Sequence, residues 1–330
     1  LILLNYNENT KFLIIVYLMA VYTKIKTNDI SPLFNTIGEI NSVEGIKEGV
    51  ENTNYLVTLK NQKKLIFTIF EKRTKGSDLP FFNNAMYEFN QSGINCPTAI
   101  SVNNKNIFEV QNKPCAIYSF IEGKKISQPN SENLSSLGDT VSKMHEIGLK
   151  SNLKRTNDML TPTWKYIIKK FEDYQGQHKN ELKEVIKLIN DMHDKFSNEL
   201  RTALIHADLF KDNIFFEDNK ISGLIDFFFT CSDTIVYDFS TLVNAWFFDY
   251  QKFEEKNFNL FFNRYFSLIE WNELEKNNFN FYLKASAIRF FMTRLHDKYF
   301  NTSGEVDHKD PLAFFEIINF HRKNNLQDFF

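Results

Sequence analysis

A chain of 330 residues, 43% hydrophobic and 15% aromatic, is long enough to bury a substantial core as one two-lobed unit or two modest domains. Its 39 Lys and Arg against 41 Asp and Glu leave a formal charge of -2, which excludes the basic field that nucleic-acid binding needs and leaves small, locally recognised ligands as the expectation. Cys96, Cys115 and Cys231 form no C-x-x-C pair and have no zinc-ligand spacing, so they read as reduced core residues of a cytoplasmic protein.

The apolar run Phe12 to Tyr22 is shorter than the roughly 20 residues a membrane-spanning helix needs, and no small-residue cleavage site follows it as in a signal peptide. No membrane partner is expected. Translation is expected to begin at Met19, with residues 1–18 a spurious upstream extension. From about Thr27 a short helix leads into strands at Glu39 to Ile46, Asn54 to Leu59 and Leu65 to Phe70, with a polar Asn61-Gln62-Lys63 turn before the third. A helix from Pro80 to Gln91 has Pro at its start and Gly93 as its stop. Strands at Ile107 to Val110 and Cys115 to Phe120 follow, joined by a turn at Asn112-Lys113-Pro114.

After Ile121-Glu122-Gly123 the period becomes helical. Leu134, Leu137, Val141 and Met144 stand three and four apart behind a Ser131/Glu132 start, and Gly148 closes the segment. Leu182, Val185, Ile186, Ile189, Met192 and Phe196 predict a longer helix, and Tyr237 to Tyr250 and much of Phe253 to Tyr299 predict further ones. The organisation is α+β: a small antiparallel β-rich lobe over residues 19–120, then a larger, mostly helical lobe over residues 121–330.

Among these helices, His206, Asp208 and Asn213 fall in the pattern His-x-Asp-x-x-x-x-Asn. This is the spacing of a kinase catalytic loop, in which the Asp accepts the proton of the attacking hydroxyl and the Asn binds metal. Phe215-Phe216, a Glu217 to Lys220 turn and Ile221 to Ile225 read as a hairpin that delivers Asp226 beside Asn213. A single loop Asp is by default a turn or cap residue. Three polar residues at this spacing between apolar strands, followed by an Asp at a hairpin's end, point instead to one chemistry. Phosphoryl transfer asks the protein to align an acceptor hydroxyl and neutralise charge. The hard oxygens of Asn213 and Asp226 suit Mg²⁺, Asp208 takes the place of the base, and His206 reads as a structural brace of the loop. The fold expected is protein-kinase-like and two-lobed.

On these residues the chain resembles the aminoglycoside phosphotransferase and choline kinase group, with Ala207 where protein kinases usually carry Arg. The Met19 start, Gly45 to Tyr55, Glu71-Lys72-Arg73 with Leu79-Pro80-Phe81-Phe82, His206 to Phe216, and Asn244-Ala245-Trp246 resemble more narrowly the homoserine kinases of this fold (type II), from Met19 to about Pro311. The resemblance implies transfer of the γ-phosphate of ATP to L-homoserine in threonine biosynthesis, with ATP and Mg²⁺ as cofactors, Asp208 as catalytic base, and Asn213 and Asp226 as Mg²⁺ ligands. It implies that the turn containing Gly49, Asn52 and Asn54 covers the phosphates, and that adenine docks on the backbone of Ser119 to Ile121. Thr68 stands where a phosphate-binding Lys is expected. Lys72 or Arg73 is the candidate cation, with Glu88 its possible partner, against the bland reading of solvated charges beyond an edge strand.

Homoserine presents an ammonium and a carboxylate, so its pocket calls for an acid and an Arg, whose planar fork suits a carboxylate. Asp233, Arg289, Arg294 and Asp297 are candidates by location. Asp238 is expected to cap a helix and Trp246 to pack in the core. The rival acceptors are choline, an aminoglycoside or a methylthio-sugar. No dense acidic cluster of the kind that suits a polycation follows Asp226. A catalytically inactive kinase-like binding module is the remaining alternative, although Asp208, Asn213 and Asp226 are all present.

Overall fold

The computed structural model describes residues 23–46, 52–71, 74–300 and 309–330. The expectations for residues 1–18, Gly49, Lys72 and Arg73 lie outside the described residues.

Helix α1 (Thr27–Phe34) precedes β1 (Ile40–Ile46), β2 (Thr53–Leu59) and β3 (Lys64–Ile69); α2 (Leu79–Gln91), β4 (Phe108–Val110) and β5 (Lys113–Ser119) complete the lobe. The strands form one five-stranded antiparallel sheet in the order β1-β2-β3-β5-β4. Alternation along the strands sorts the side chains onto two faces. Tyr55, Val57 and Leu59 with Leu65, Phe67, Ile69, Cys115 and Ile117 close a small core under Ile30 and Phe34 of α1. The other face carries Asn54, Thr68, Ala116 and Tyr118; Tyr118 Oη donates to Asn83 Oδ1 of α2 at 2.8 Å. The β4–β5 turn differs from expectation by one residue. Gln111 and Asn112 both have positive φ, 51° and 59°, as a two-residue primed hairpin turn requires, while Lys113 and Pro114 already pair with Val110 and Glu109.

The helical lobe contains α3 (Ser131–Lys150), α4 (Thr161–Lys170), α5 (Lys179–Met192), β6 (Thr202–Ile205), β7 (Ile214–Glu217), β8 (Lys220–Leu224), β9 (Cys231–Thr234), α6 (Ile235–Trp246), α7 (Glu255–Phe266), α8 (Glu273–Phe300) and α9 (Leu312–Lys323). The segment expected as Tyr237 to Tyr250 ends at Trp246, because residues 248–253 turn back in a short two-stranded ladder with Tyr250 at φ 55°. Helices α4 and α9 are short and were not anticipated. The connector joins the lobes by pairing with β7: Lys124 and Phe216 exchange backbone bonds of 2.8 and 2.9 Å. Phe228 adds edge contacts to Phe70, Phe82 and Tyr118, with centroids 5.0 to 6.0 Å apart.

Gly148 does not end α3, which runs to Lys150; it lets β6 cross the helix. A Cβ there would lie 2.0 Å from the Leu204 carbonyl oxygen. Gly148→Ala sets a helix-propensity gain of about 1 kcal/mol against an overpacking cost of about 1–3 kcal/mol. The clash is with backbone and cannot be relieved by a rotamer change, so a net loss of stability in urea unfolding is expected.

A second stability prediction concerns α9. His321 is buried, and its Nε2 lies 2.7 Å from Asn244 Oδ1. Asn244 Nδ2 donates to the Leu283 carbonyl at 2.8 Å, so Oδ1 is the acceptor and the imidazole donates in its neutral form. Burial, aided by Lys284, pushes the His321 pKa from 6.5 down to about 3. The unfolded chain therefore binds the extra proton first as pH falls. The stability is complete above pH 6.5 and is lost toward pH 3, at up to about 1.4 kcal/mol per pH unit. His321→Gln should flatten the decline of melting temperature over that range; an unchanged slope would refute the assignment.

Candidate active site

Strand β6 pairs with β9, Ile205 opposite Cys231 and Ala203 opposite Asp233, and ends at the segment His206 to Asn213. Two features hold this loop. Ala207 lies at φ 63°, a left-handed conformation that costs an alanine energy unless its surroundings enforce it. Asp238 supplies that enforcement: Oδ1 accepts from Ala207 N at 2.7 Å and Oδ2 from His206 N at 3.1 Å. The expected capping role for Asp238 is thereby corrected. Thr234 caps α6, its hydroxyl accepting from Val236 N at 3.3 Å, and Asp238, fully buried, has its carboxylate on the loop.

A donor chain reaches Asp238 from behind. Trp271 Nε1 donates to Tyr265 Oη at 3.3 Å, Tyr265 Oη lies 2.7 Å from His145 Nδ1, and His145 Nε2 lies 3.3 Å from Asp238 Oδ2. Since the indole is a donor only, the chain is satisfied when the tyrosine donates to Nδ1 and Nε2–H donates to the carboxylate.

His206 is buried and links the two halves of the site. Its Nδ1 accepts from Asp208 N at 3.2 Å, which makes Nε2 the protonated nitrogen that donates to the Ile225 carbonyl at 3.0 Å. Burial pushes its pKa down and keeps it neutral, opposed by Asp238 and Asp208. Ile225 N donates to the Asn213 carbonyl at 2.9 Å, so Asp226, at φ 64°, follows directly on a backbone bond to Asn213. Asn213 Nδ2 in turn donates to the Asp208 carbonyl and to Asp208 Oδ2, at 2.8 and 3.0 Å. Asp208, Asn213, Asp226 and His206 are thus brought together, and Trp246, buried as expected, donates Nε1 to the Leu209 carbonyl at 3.0 Å.

Two arginines of α8 stand near Asp208. Arg289, 1% exposed, has Nη2 3.7 Å from Asp208 Oδ1, while Nη1 donates to the Ala207 carbonyl and, at 2.9 Å, to Tyr237 Oη. Burial opposes its charge, but Tyr237 and Asp208 outweigh that and hold its pKa above the usual arginine value. Arg294 lies over the Phe314 ring, 4.4 Å from the centroid, with Nη1 3.3 Å from the Asp310 carbonyl. Burial wins here and lowers its pKa to about 10, against Asp208, Asp310 and Asp212.

Asp233 has other partners: Oδ2 accepts from Asn157 at 2.7 Å and Oδ1 from Thr234 N at 2.7 Å. Burial raises its pKa. Asp297 lies beside His296, Oδ1 3.4 Å from Nδ1.

On the sheet side, Thr68 Oγ1 donates to Asn54 Oδ1 at 2.8 Å, a neutral pair on the face turned toward α2. Asn52 is buried, and its Oδ1 is without a hydrogen-bond partner. Ser119 is committed to Thr98, its N–H to the carbonyl at 3.0 Å and its Oγ accepting from Thr98 N at 2.9 Å. Its backbone N–H is therefore not available to a nucleotide. Ile121 is buried against Gly223, where a Cβ would come within 2.5 Å of Ile121 Cγ2. Any pairing of Glu88 with Lys72 or Arg73 involves residues outside the described set. Glu71, just before them, is bound by Lys113, Thr53 and Thr23.

The functions of Asp238 and Arg289 in holding the loop are what sequence reasoning missed. A signal was available for Asp238: it is a lone charge in a helix whose residues from Ile235 to Asn244 are all buried, and a charge in such a setting must have partners. Arg289 offers the same signal within the buried stretch Ala285 to Met292.

The phosphotransferase enzyme family (APH) model matches residues 42–271. The chain is similar to the homoserine kinase of Agrobacterium fabrum, 34% identical over 92% of this chain and 96% of that protein, and to that of Bartonella henselae, 33% identical over 92% and 96%. Among solved structures, its fold is similar to an amicoumacin kinase in complex with AMP-PNP and Ca²⁺, TM-score 0.67 at 16% identity over 89% of this chain and 92% of that one. It is also similar to choline kinase from Cryptosporidium parvum, TM-score 0.65 at 16% identity over 90% and 96%.

Proposed function

This chain belongs to the phosphotransferase enzyme family and to its homoserine kinase group, and from that premise we propose that it transfers the γ-phosphate of ATP to the hydroxyl of L-homoserine. The products are O-phospho-L-homoserine and ADP, a step of threonine biosynthesis in the cytoplasm. The observation that carries the chemistry is Asp208, 15% exposed, with one oxygen bonded by Asn213, while the residue before Asp226, Ile225, donates its N–H to the Asn213 carbonyl at 2.9 Å. In this reading Asp208 accepts the proton of the homoserine hydroxyl as that oxygen bonds to the γ-phosphorus and the bond to the ADP oxygen breaks.

The residues fit a Mg²⁺ ion. Asn213 commits Nδ2 to Asp208, so its remaining side-chain donor atom is the amide oxygen, and with the Asp226 carboxylate it makes a hard-oxygen set small enough to leave room for phosphates and waters. When bound, the ion neutralises phosphate charge and draws electron density from phosphorus. Asn52 and Asn54 belong to the C-terminal end of the turn proposed to cover the phosphates, where β2 begins, and Ile121 lies in the connector proposed to receive adenine. Gly49 and Lys72 or Arg73 complete the nucleotide proposal.

Arg294 is the proposed dock for the substrate carboxylate. Its guanidinium is half-buried over the Phe314 ring beside the Asp310 carbonyl, and the lowered pKa follows from that partial burial, so an anion docked there stabilises the charge. Two arginines beside the base also oppose a polycationic or quaternary-ammonium acceptor, which favours homoserine over an aminoglycoside or choline. Asp233 is left out of this pocket because Asn157 and Thr234 already occupy its oxygens. Arg294→Met should raise the KM for L-homoserine by roughly tenfold or more, the value of a charge-assisted hydrogen bond, and leave the KM for ATP within about threefold. An unchanged homoserine KM would remove Arg294 from the pocket.

A further inference from the structure

Arg289 is among the most buried of the described side chains, 1% exposed, yet it carries a full charge, and among the described residues its ion pair is with Asp208 at 3.7 Å. Its two ends do different work. Nη1 is taken by the Ala207 carbonyl and the Tyr237 hydroxyl, which fixes the loop backbone one residue before Asp208. The Phe229 and Phe290 rings, with centroids 5.0 and 4.5 Å from the guanidinium carbon, hold its plane. Nε is buried with no hydrogen-bond partner, so the Nε–Nη2 edge, the one shaped for a carboxylate, is not spent on structure.

We propose that Arg289 is the positioning residue of Asp208, aligning the carboxylate through its charge and the Ala207 peptide through its hydrogen bond. The inference rests on reading Asp208 as the base. A separation of 3.7 Å exceeds the 2.7–2.9 Å of a charge-assisted hydrogen bond. Asp208 Oδ1 is thus oriented without having its lone pairs occupied, and they stay available to the incoming hydroxyl, while Asn213 fixes Oδ2. A lysine at 289 has a single ammonium, which cannot bond the Ala207 carbonyl and face the carboxylate in the same plane.

The test is a double-mutant cycle on the full chain with Mg-ATP and L-homoserine, each variant checked by circular dichroism and thermal unfolding. Arg289→Lys should lower kcat by about 10²-fold, the penalty of a misplaced reacting group, with both KM values within about threefold of the parent. In an Asp208→Asn background it should cost nothing further. Tyr237→Phe, which keeps the ring and frees part of Nη1, provides a milder second variant should the lysine protein fail to fold. It should lower kcat by about tenfold, the low end of the worth of one hydrogen bond to a charged group, and that loss too should vanish without the Asp208 carboxylate.

Losses that multiply in the double variant, or an Arg289→Lys enzyme with parental kcat beside a slow Asp208→Asn enzyme, would overturn the positioning role alone. Parental kcat in Asp208→Asn would overturn the base assignment and the inference built on it.

Discussion

Asp208→Asn lowers turnover by roughly 10²- to 10⁴-fold, the usual contribution of a general base, and leaves the protein folded. The substitution is isosteric, and the side chain is 15% exposed, so little packing is at stake. The Asn213 contact can be kept through the amide oxygen, and Arg289 keeps the Ala207 carbonyl and the Tyr237 hydroxyl. A stability loss of no more than about 2 kcal/mol is therefore expected, the scale of one weakened charge-assisted contact. Steady-state kinetics beside thermal unfolding separates the two effects. Turnover near the parental value in a folded protein would exclude Asp208 as the base.

Asp238→Ala has the largest expected effect on stability. It strips the acceptor from Ala207 N, His206 N and His145 Nε2 in a fully buried site. Each orphaned donor costs about 1–3 kcal/mol, and three of them lose their acceptor together, a large part of a domain's stability of about 5–15 kcal/mol. Were Asp238 only a helix cap, the loss would be about 1 kcal/mol. The urea midpoint at constant m-value distinguishes the two. Because the same carboxylate holds Ala207 at its left-handed φ, turnover should fall in step with the damaged loop.

Much of this site was legible in the sequence because its key residues are local. His206, Asp208 and Asn213 lie within eight residues, and the Phe215 to Ile225 hairpin that carries Asp226 is a local structure too. The antiparallel sheet was equally readable, since alternation and turn residues act over a few positions. What stayed hidden depends on contacts across the chain. Asp238 meets His206 and Ala207 from 32 and 31 positions away, and Arg289 reaches Ala207 from 82; no local pattern encodes such a meeting. The end of α3 was misplaced for a related reason: Gly148 is there for the passage of β6, a tertiary requirement that overrides its usual meaning as a stop signal. The turn before β5 was expected one residue too late because Gln111 and Asn112 adopt positive φ without a glycine.

The roles of the sheet-side residues rest on a different argument. Thr68 paired with Asn54 leaves no lysine at the centre of the third strand, so positive charge for the phosphates must come from outside that strand. Lys72 or Arg73, together with Mg²⁺, fills that requirement in the proposed mechanism, since Arg294 is assigned to the acceptor and Arg289 to the alignment of Asp208.

The central claim is most directly tested by ADP release from the purified protein with Mg-ATP, offered L-homoserine, choline, kanamycin, methylthioribose or no acceptor. The account predicts turnover with L-homoserine alone, accompanied by formation of O-phospho-L-homoserine. Turnover with one of the other acceptors in its place would contradict the substrate assignment, and no turnover with any of them would contradict the catalytic reading of Asp208, Asn213 and Asp226.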